Sequence, residues 1–183
     1  MDFSQNYFQI FGLPQSFSVD TDLLAKNYRQ LHKELHPDKF ASKTASEQRL
    51  AVQFASHINS AYQTLKSPLS RAEYLLELSK CPVNSETLTV KDTEFLLKQM
   101  EWRETLADLS ADAKSVPVDR QEANRQLYDL QQEVDQKRNQ LLDNFDASFQ
   151  QEAFSEAIEQ VAQLHFVEKA RSSIEDLEHR LLN

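Results

Sequence analysis

Two histidines stand four residues apart in His32-Lys33-Glu34-Leu35-His36, a spacing that puts both on one face of a helix. A zinc-protease helix presents its metal ligands this way, but that pattern needs a glutamate directly after the first histidine to act as general base. Lys33 occupies that place, and Pro37 ends the helix at once. No catalytic residue, cofactor or metal centre is expected from the pair; a small metal-binding protein using His32 and His36 is kept only as a rival reading. His36 belongs more naturally to His36-Pro37-Asp38-Lys39-Phe40. Pro37 biases His36 away from helical dihedrals, so a compact polar tip of fixed geometry results. A turn residue that caps its helix would account for His36 alone, but not for Pro, Asp and Lys following in this order beside a basic helix.

The tip lies between two runs with helical periodicity. Leu24, Tyr28, Leu31 and Leu35 precede it; Leu50, Phe54, Ile58, Ala61 and Leu65 follow. Steps of three and four put each set on one face, so the two helices pack as a hairpin with the tip as its turn. The first, capped by Asp20 or Thr21, runs to about residue 35; the second runs from about 45 to 66, with Thr44 or Ser46 near its start. Lys26, Arg29 and Lys33 line the exposed face of the first. A short helix over residues 4–11 should bury Tyr7, Phe8 and Phe11 and end at Gly12 and Pro14. Pro68 should open a fourth through Arg71, Tyr74, Leu75 and Leu78.

These residues resemble a J-domain. The resemblance rests on His36-Pro37-Asp38 in its helical context, with Tyr7-Phe8 and Phe11-Gly12-Leu13 before it, Tyr28 upstream and Ile58-Asn59-Ser60-Ala61-Tyr62 after it. It implies that His36, Pro37 and Asp38 stimulate ATP hydrolysis by a DnaK/HscA-class chaperone, and that Tyr28, Arg29, Lys33 and Lys39 bind it. Electrostatic complementarity to an acidic surface of the chaperone would steer encounter and fix register. The bland alternative is a solvated basic face. Three positive charges with Glu34 nearby make a thin nucleic-acid footprint, so no nucleic-acid partner is expected.

Composition separates the chain into two parts. The single glycine favours helices over tight-turned sheets, and the formal net charge is −9. Residues 1–80 carry 9 Lys/Arg against 8 Asp/Glu, whereas residues 81–183 carry 11 against 21. An acidic second part argues against nucleic acid as its target. One cysteine, Cys81, allows neither an internal disulfide nor a multi-cysteine metal site. Met1-Asp2-Phe3-Ser4 starts neither a signal nor a transit peptide, and no apolar run nears the roughly 18 residues of a membrane span. A cytoplasmic protein with no membrane partner is expected.

The fold class expected is all-α: a J-domain over residues 1–78, a linker over 79–91 and an antiparallel three-helix bundle over 92–183. The bundle helices are expected over about 92–113, about 119–145 and from near 150 to the end, with Pro117 separating the first two. Leu127, Leu130, Val134, Leu141 and Phe145 form the inner stripe of the second. Phe154, Ile158 and Val161 do not continue in line into Val167, Ala170, Ile174, Leu177 and Leu181, so a kink or break is expected near His165.

The first bundle helix carries the informative surface. With Phe95 at zero, Gln99, Trp102, Leu106 and Leu109 fall within roughly 40° of it, toward the bundle. Leu96, Leu97, Met100, Glu101, Glu104 and Asp108 fall between roughly 100° and 240°, facing away. Apolar anchors with an acidic rim make a partner surface. The alternative is that Leu96 and Met100 pack on the J-domain or the third helix.

With that region included, essentially the whole chain resembles the HscB family, J-type co-chaperones of iron–sulfur cluster assembly. Arg71-Ala72-Glu73-Tyr74-Leu75-Leu76, Asp92-Thr93-Glu94-Phe95-Leu96 and Arg171-Ser172-Ser173 carry this narrower likeness. It implies delivery of an IscU-type scaffold protein to the chaperone, with Leu96, Leu97, Met100, Glu101, Glu104, Asp108 and Phe166 in contact with the scaffold. Leu97 stands where Met can occur and Asp108 where Glu can; both changes keep the chemistry. A J-domain co-chaperone for a different client is the alternative, against which the acidic-apolar face speaks.

Overall fold

The first helix, α1 (Tyr7–Ile10), is a single turn because its punctuation is close on both sides. Asn6 and Gln9 form a capping box at its start, so the helix begins later than the expected residue 4. Gly12 closes it at φ 61°, a left-handed conformation that costs glycine nothing. There the Gly12 N–H donates to the Gln9 carbonyl at 3.1 Å and the Leu13 N–H to the Phe8 carbonyl at 2.9 Å, satisfying two orphan acceptors. The computed structural model describes residues 3–40, 42–83, 89–112 and 120–182. The side chains of Pro37, Asp38, Asp112, Arg120, Leu181 and Leu182 lie outside that description, as do residues 84–88 of the expected linker and the expected break at Pro117. The described residues form α-helices and one 3-10 turn with no strand, and the chain divides into two units, Met1–Pro82 and Val83–Asn183.

In the first unit, α2 (Thr21–Glu34) and α3 (Ala45–Lys66) form the hairpin, and α4 (Pro68–Leu78) follows with Pro68 in its first turn. Asp20 caps α2 by accepting from the Asp22 and Leu23 N–H groups, at 3.0 and 2.9 Å. The buried stripe of α3 is Ala51, Phe54, Ile58, Ala61 and Leu65. Leu50, expected in that stripe, is 43% exposed; the strict three-four alternation starts one residue later, at the smaller Ala51. Each of Phe54, Ile58 and Leu65 contributes roughly 1.5–3 kcal/mol by leaving water. Tyr7 stacks on Tyr74 at 4.3 Å between ring centroids, and its N–H donates to the Tyr74 hydroxyl oxygen at 3.0 Å, tying α1 to α4.

In the second unit, α5 (Thr93–Asp112), α6 (Arg120–Gln150) and α7 (Phe154–Leu182) run up, down and up. α6 and α7 pack antiparallel: Asp135 pairs with Arg171 at 2.7 Å and Arg138 with Glu168 at 2.6 Å, so rising numbers on one meet falling numbers on the other. Partial burial alone would lower the Arg171 pKa, but the hydrogen bonds it donates to Asp135 and Glu168 hold it above its ordinary value. Leu127, Leu130, Val134, Leu141 and Phe145 are buried along α6, which continues five residues beyond its expected end. α7 is helical throughout and has no break at His165. Its stripe shifts because its middle is covered on more than one side: Val161, Ala162, Gln163 and Leu164 are all buried, and α7 packs on both α5 and α6. Leu181 of the expected stripe lies outside the described side chains.

Candidate functional site

The tip of the first unit is bounded by two helix caps. α2 ends where the Leu35 N–H donates to the Leu31 carbonyl at 3.0 Å, and α3 begins at a capping box between Thr44 and Glu47. Between them Pro37–Phe40 form a 3-10 turn, closed by the Lys39 N–H donating to the His36 carbonyl at 2.9 Å. His36 and Lys39 are exposed on it; the side chains of Pro37 and Asp38 lie outside the described atoms. Arg29 and Lys33 are exposed along α2, as is Lys26. Tyr28 is half-buried: its ring stacks on Tyr62 and its hydroxyl donates to Asn59 Oδ1 at 3.0 Å. His32, Leu35, His36 and Phe40 wall one side of an apolar cleft of about 590 Å³, with Ala51, Val52 and Ala55 of α3 opposite. Among the described residues, no three His, Cys, Asp or Glu side chains gather where they could hold a metal ion.

In the second unit the rotation of α5 about its axis decides what reaches solvent. The Phe95 N–H donates to Asp92 Oδ1 at 3.0 Å, making Asp92 the cap, and the Lys91 N–H donates to Glu159 of α7 at 3.0 Å. Phe95, Trp102 and Leu109 are buried, with Gln99 and Leu106 half-buried beside them. Leu97 and Met100 stand 58% and 65% exposed, Leu96 is half-buried, and Glu101, Glu104 and Asp108 are exposed. Phe166 lies on the α7 flank of this crest: its ring meets that of Phe95 edge-on at 6.4 Å, and it borders a shallow groove with Gln99, Trp102, Arg103 and Leu106. On the α6 flank, Leu97 and Glu101 border a second groove with Glu133 and Gln136. The candidate residues therefore straddle α5 instead of filling one pocket. Sequence reasoning missed Lys98, which binds Glu133 at 2.6 Å and Glu101 at 2.9 Å; these hydrogen bonds raise its pKa. Its i,i+3 spacing from Glu101 was visible in the sequence, whereas Glu133 comes from another helix.

The architecture has known counterparts. Residues 6–74 match the DnaJ domain model, and residues 91–175 match the model described as the HSCB C-terminal oligomerisation domain. A co-chaperone protein HscB homolog of Shewanella baltica is 40% identical over 178 residues, covering 97% of this chain and 99% of the relative. The chain belongs to the HscB co-chaperone family. Another HscB homolog, of Aliivibrio fischeri, is 39% identical over 179 residues, covering 97% of this chain and 99% of that protein. Among solved structures, chaperone HscB from Vibrio cholerae matches with a TM-score of 0.83 at 38% identity over 96% of this chain and 99% of its own. Human co-chaperone protein HscB matches with 0.84 at 28% identity over 97% and 84%. The HscB family thus accounts for both units, and its J-domain implies a partner of the heat-shock chaperone class. Among the described residues, no helix is long and apolar enough to cross a membrane.

Proposed function

We propose that this chain is a cytoplasmic co-chaperone of iron–sulfur cluster assembly that stimulates ATP hydrolysis by a DnaK/HscA-class chaperone and brings it an IscU-type scaffold protein. His36, Pro37 and Asp38 act on the chaperone ATPase, and Tyr28, Arg29, Lys33 and Lys39 form the contact with it. Leu96, Leu97, Met100, Glu101, Glu104, Asp108 and Phe166 hold the scaffold. The observation that carries this reading is the outward pair Leu97 and Met100, 58% and 65% exposed among Glu101, Glu104 and Asp108, on a bundle that follows a J-domain. Neighbouring large apolar side chains exposed together inside a rim of carboxylates have the make-up of a partner surface. Joining both contacts in one chain raises the effective concentration of client at the chaperone.

Single-turnover ATPase assays of a purified DnaK/HscA-class chaperone test this, with the scaffold present and absent. Wild type accelerates hydrolysis, and the scaffold and the co-chaperone act together beyond either alone. His36→Gln and Asp38→Asn lose the acceleration while keeping the helical circular dichroism spectrum. Full stimulation by both variants would refute the assigned role of the tip.

A further inference from the structure

α2 is held weakly by apolar packing, since Leu24 is its one fully buried residue. Its rotation must be fixed by other means, and two adjacent residues supply them. The Asn27 side-chain amide donates to the Phe11 carbonyl at 2.8 Å, fastening α2 to the end of α1. From the α3 side, Tyr62 stacks on Tyr28 with ring centroids 4.1 Å apart and planes 17° from parallel. Asn59, one turn away on the same face of α3, accepts the Tyr28 hydroxyl at 3.0 Å. Aromatic offset stacking and a directed hydrogen bond together specify orientation, which apolar contact alone does not. Arg29 follows Tyr28 by one residue and Lys33 by five, so a turn of α2 re-aims both. His32 extends the same column, its ring 5.8 Å from that of Tyr28, and His32 and Asn59 both border the cleft that His36 borders.

We propose that Asn59 and Tyr62 are positioning residues for the chaperone contact: they hold Tyr28, and through it the basic face of α2, in the orientation the chaperone reads. The proposal rests on the J-domain function proposed above. Neither residue needs to touch the chaperone. Their loss raises the concentration of co-chaperone needed for half-maximal ATPase stimulation and leaves the maximal stimulation, set at the tip, in place.

The test is single-turnover ATP hydrolysis by a purified DnaK/HscA-class chaperone, titrated with the full-length chain. Asn59→Ala and Tyr62→Leu are expected to raise the half-saturating concentration by about threefold to tenfold, the range of one lost hydrogen bond or ring contact. Tyr62→Phe keeps the ring and the wild-type value. Tyr28→Phe, which loses a single oxygen, matches Asn59→Ala, and the double variant Tyr28→Phe/Asn59→Ala shows no further loss. Circular dichroism melts accompany each variant, and Tyr28→Phe keeps the comparison readable if Tyr62→Leu unfolds. Additive effects of Tyr28→Phe and Asn59→Ala would mean that the hydroxyl meets the chaperone directly. Unchanged half-saturation in both Asn59→Ala and Tyr62→Leu would confine the clasp to stability. Either result overturns the proposal while leaving the J-domain reading intact; a wild-type chain that gives no stimulation overturns both.

Discussion

The indole N–H of Trp102 donates to Glu133 Oε1 at 3.1 Å, and the same oxygen lies 2.6 Å from Lys98 Nζ. One carboxylate on α6 thus fixes two residues of α5 four apart, and with them which side chains form the solvent-facing crest. A buried indole needs this partner, since an unpaired donor keeps its desolvation cost. Glu133→Leu is expected to lower stability by about 1 kcal/mol, at the low end of the range for a lost buried partner because the Glu133 side chain is 41% exposed. Glu133→Gln, which retains an acceptor, should lose less. Trp102 is the chain's one tryptophan, so fluorescence-monitored urea unfolding reads this site directly. Equal midpoints for wild type and Glu133→Leu would show that the bond does not hold α5.

The crest itself should be separable from the core. Leu97→Ala and Met100→Ala are expected to shift stability by less than about 0.5 kcal/mol each, as surface substitutions do. Trp102→Ala, by contrast, empties a buried site and should cost about 3–5 kcal/mol. Binding of an iron–sulfur scaffold protein should weaken by more than about 1 kcal/mol for each crest truncation, as for anchors at an interface centre. Calorimetric titration with thermal melts distinguishes the two effects. Crest variants that melt normally and bind normally would remove the scaffold from the assigned partners.

The phase of α5 is legible because its sequence is punctuated by one large buried residue about every two turns, Phe95, Trp102 and Leu109, which fixes the wheel. Residue size is a poorer guide than spacing at the start of α3. Leu50 outweighs Ala51 on any hydropathy scale, yet the spacing to Phe54 and Ile58 favours Ala51, and that spacing governs burial. At His165 the stripe shifts without a break, because a helix covered by two neighbours broadens its buried face without bending. The Trp102–Glu133 bond and the Tyr28–Tyr62 stack join helices about thirty residues apart in the chain, a separation that no local period encodes.

Acid should weaken the start of α3. Glu47 accepts from the Thr44 hydroxyl at 2.7 Å and the Thr44 N–H at 2.9 Å, and these bonds hold its pKa below the ordinary 4.5. A carboxyl whose pKa is depressed by folding stabilises above its unfolded value, and that contribution is lost as pH falls through the folded value. The melting-temperature difference between wild type and Glu47→Ala should therefore be full at pH 7 and shrink as pH falls below about 4.5. A difference unchanged down to pH 2 would mean that helix propensity alone distinguishes the two residues.

Arg71 is buried: a guanidinium nitrogen donates to the Leu65 carbonyl in the last turn of α3, the charge lies 5.1 Å from the Phe17 ring centroid, and among the described residues Nε meets no hydrogen-bond partner. Burial holds its pKa below the ordinary arginine value. Arg71→Met keeps the volume but strands the Leu65 carbonyl, which the helix leaves without an internal donor. Removal of the buried charge offsets part of that loss, so a net destabilisation of about 1–3 kcal/mol is expected. A more stable Arg71→Met variant would mean that desolvation of the guanidinium outweighs its bond and ring contact.

Three helices end on the same left-handed closure, and only one uses glycine. Lys80 after α4 and Glu152 after α6 sit at φ 62° and 57°, the role Gly12 plays after α1. In each case the left-handed N–H reaches back three residues and the next N–H reaches back five: Lys80 to Glu77 and Cys81 to Leu76, both 2.9 Å, and Glu152 to Phe149 at 3.1 Å and Ala153 to Ser148 at 2.9 Å. A side chain in this conformation costs roughly 1–2 kcal/mol, whereas glycine gives back roughly 0.5–1 kcal/mol as unfolded-chain entropy. Lys80→Gly and Glu152→Gly should each stabilise their own unit by up to about 1 kcal/mol. Gly12→Ala should destabilise through backbone strain alone, because a Cβ there meets nothing within 4 Å. Tryptophan fluorescence reports the second unit, where Trp102 resides, and far-ultraviolet circular dichroism reports both. Glu152→Gly should therefore raise the fluorescence midpoint, while Lys80→Gly raises only the part of the dichroism transition that fluorescence does not follow. A lowered midpoint for Glu152→Gly would mean that chain entropy outweighs strain at this turn, and that the α6–α7 connection tolerates glutamate at no cost.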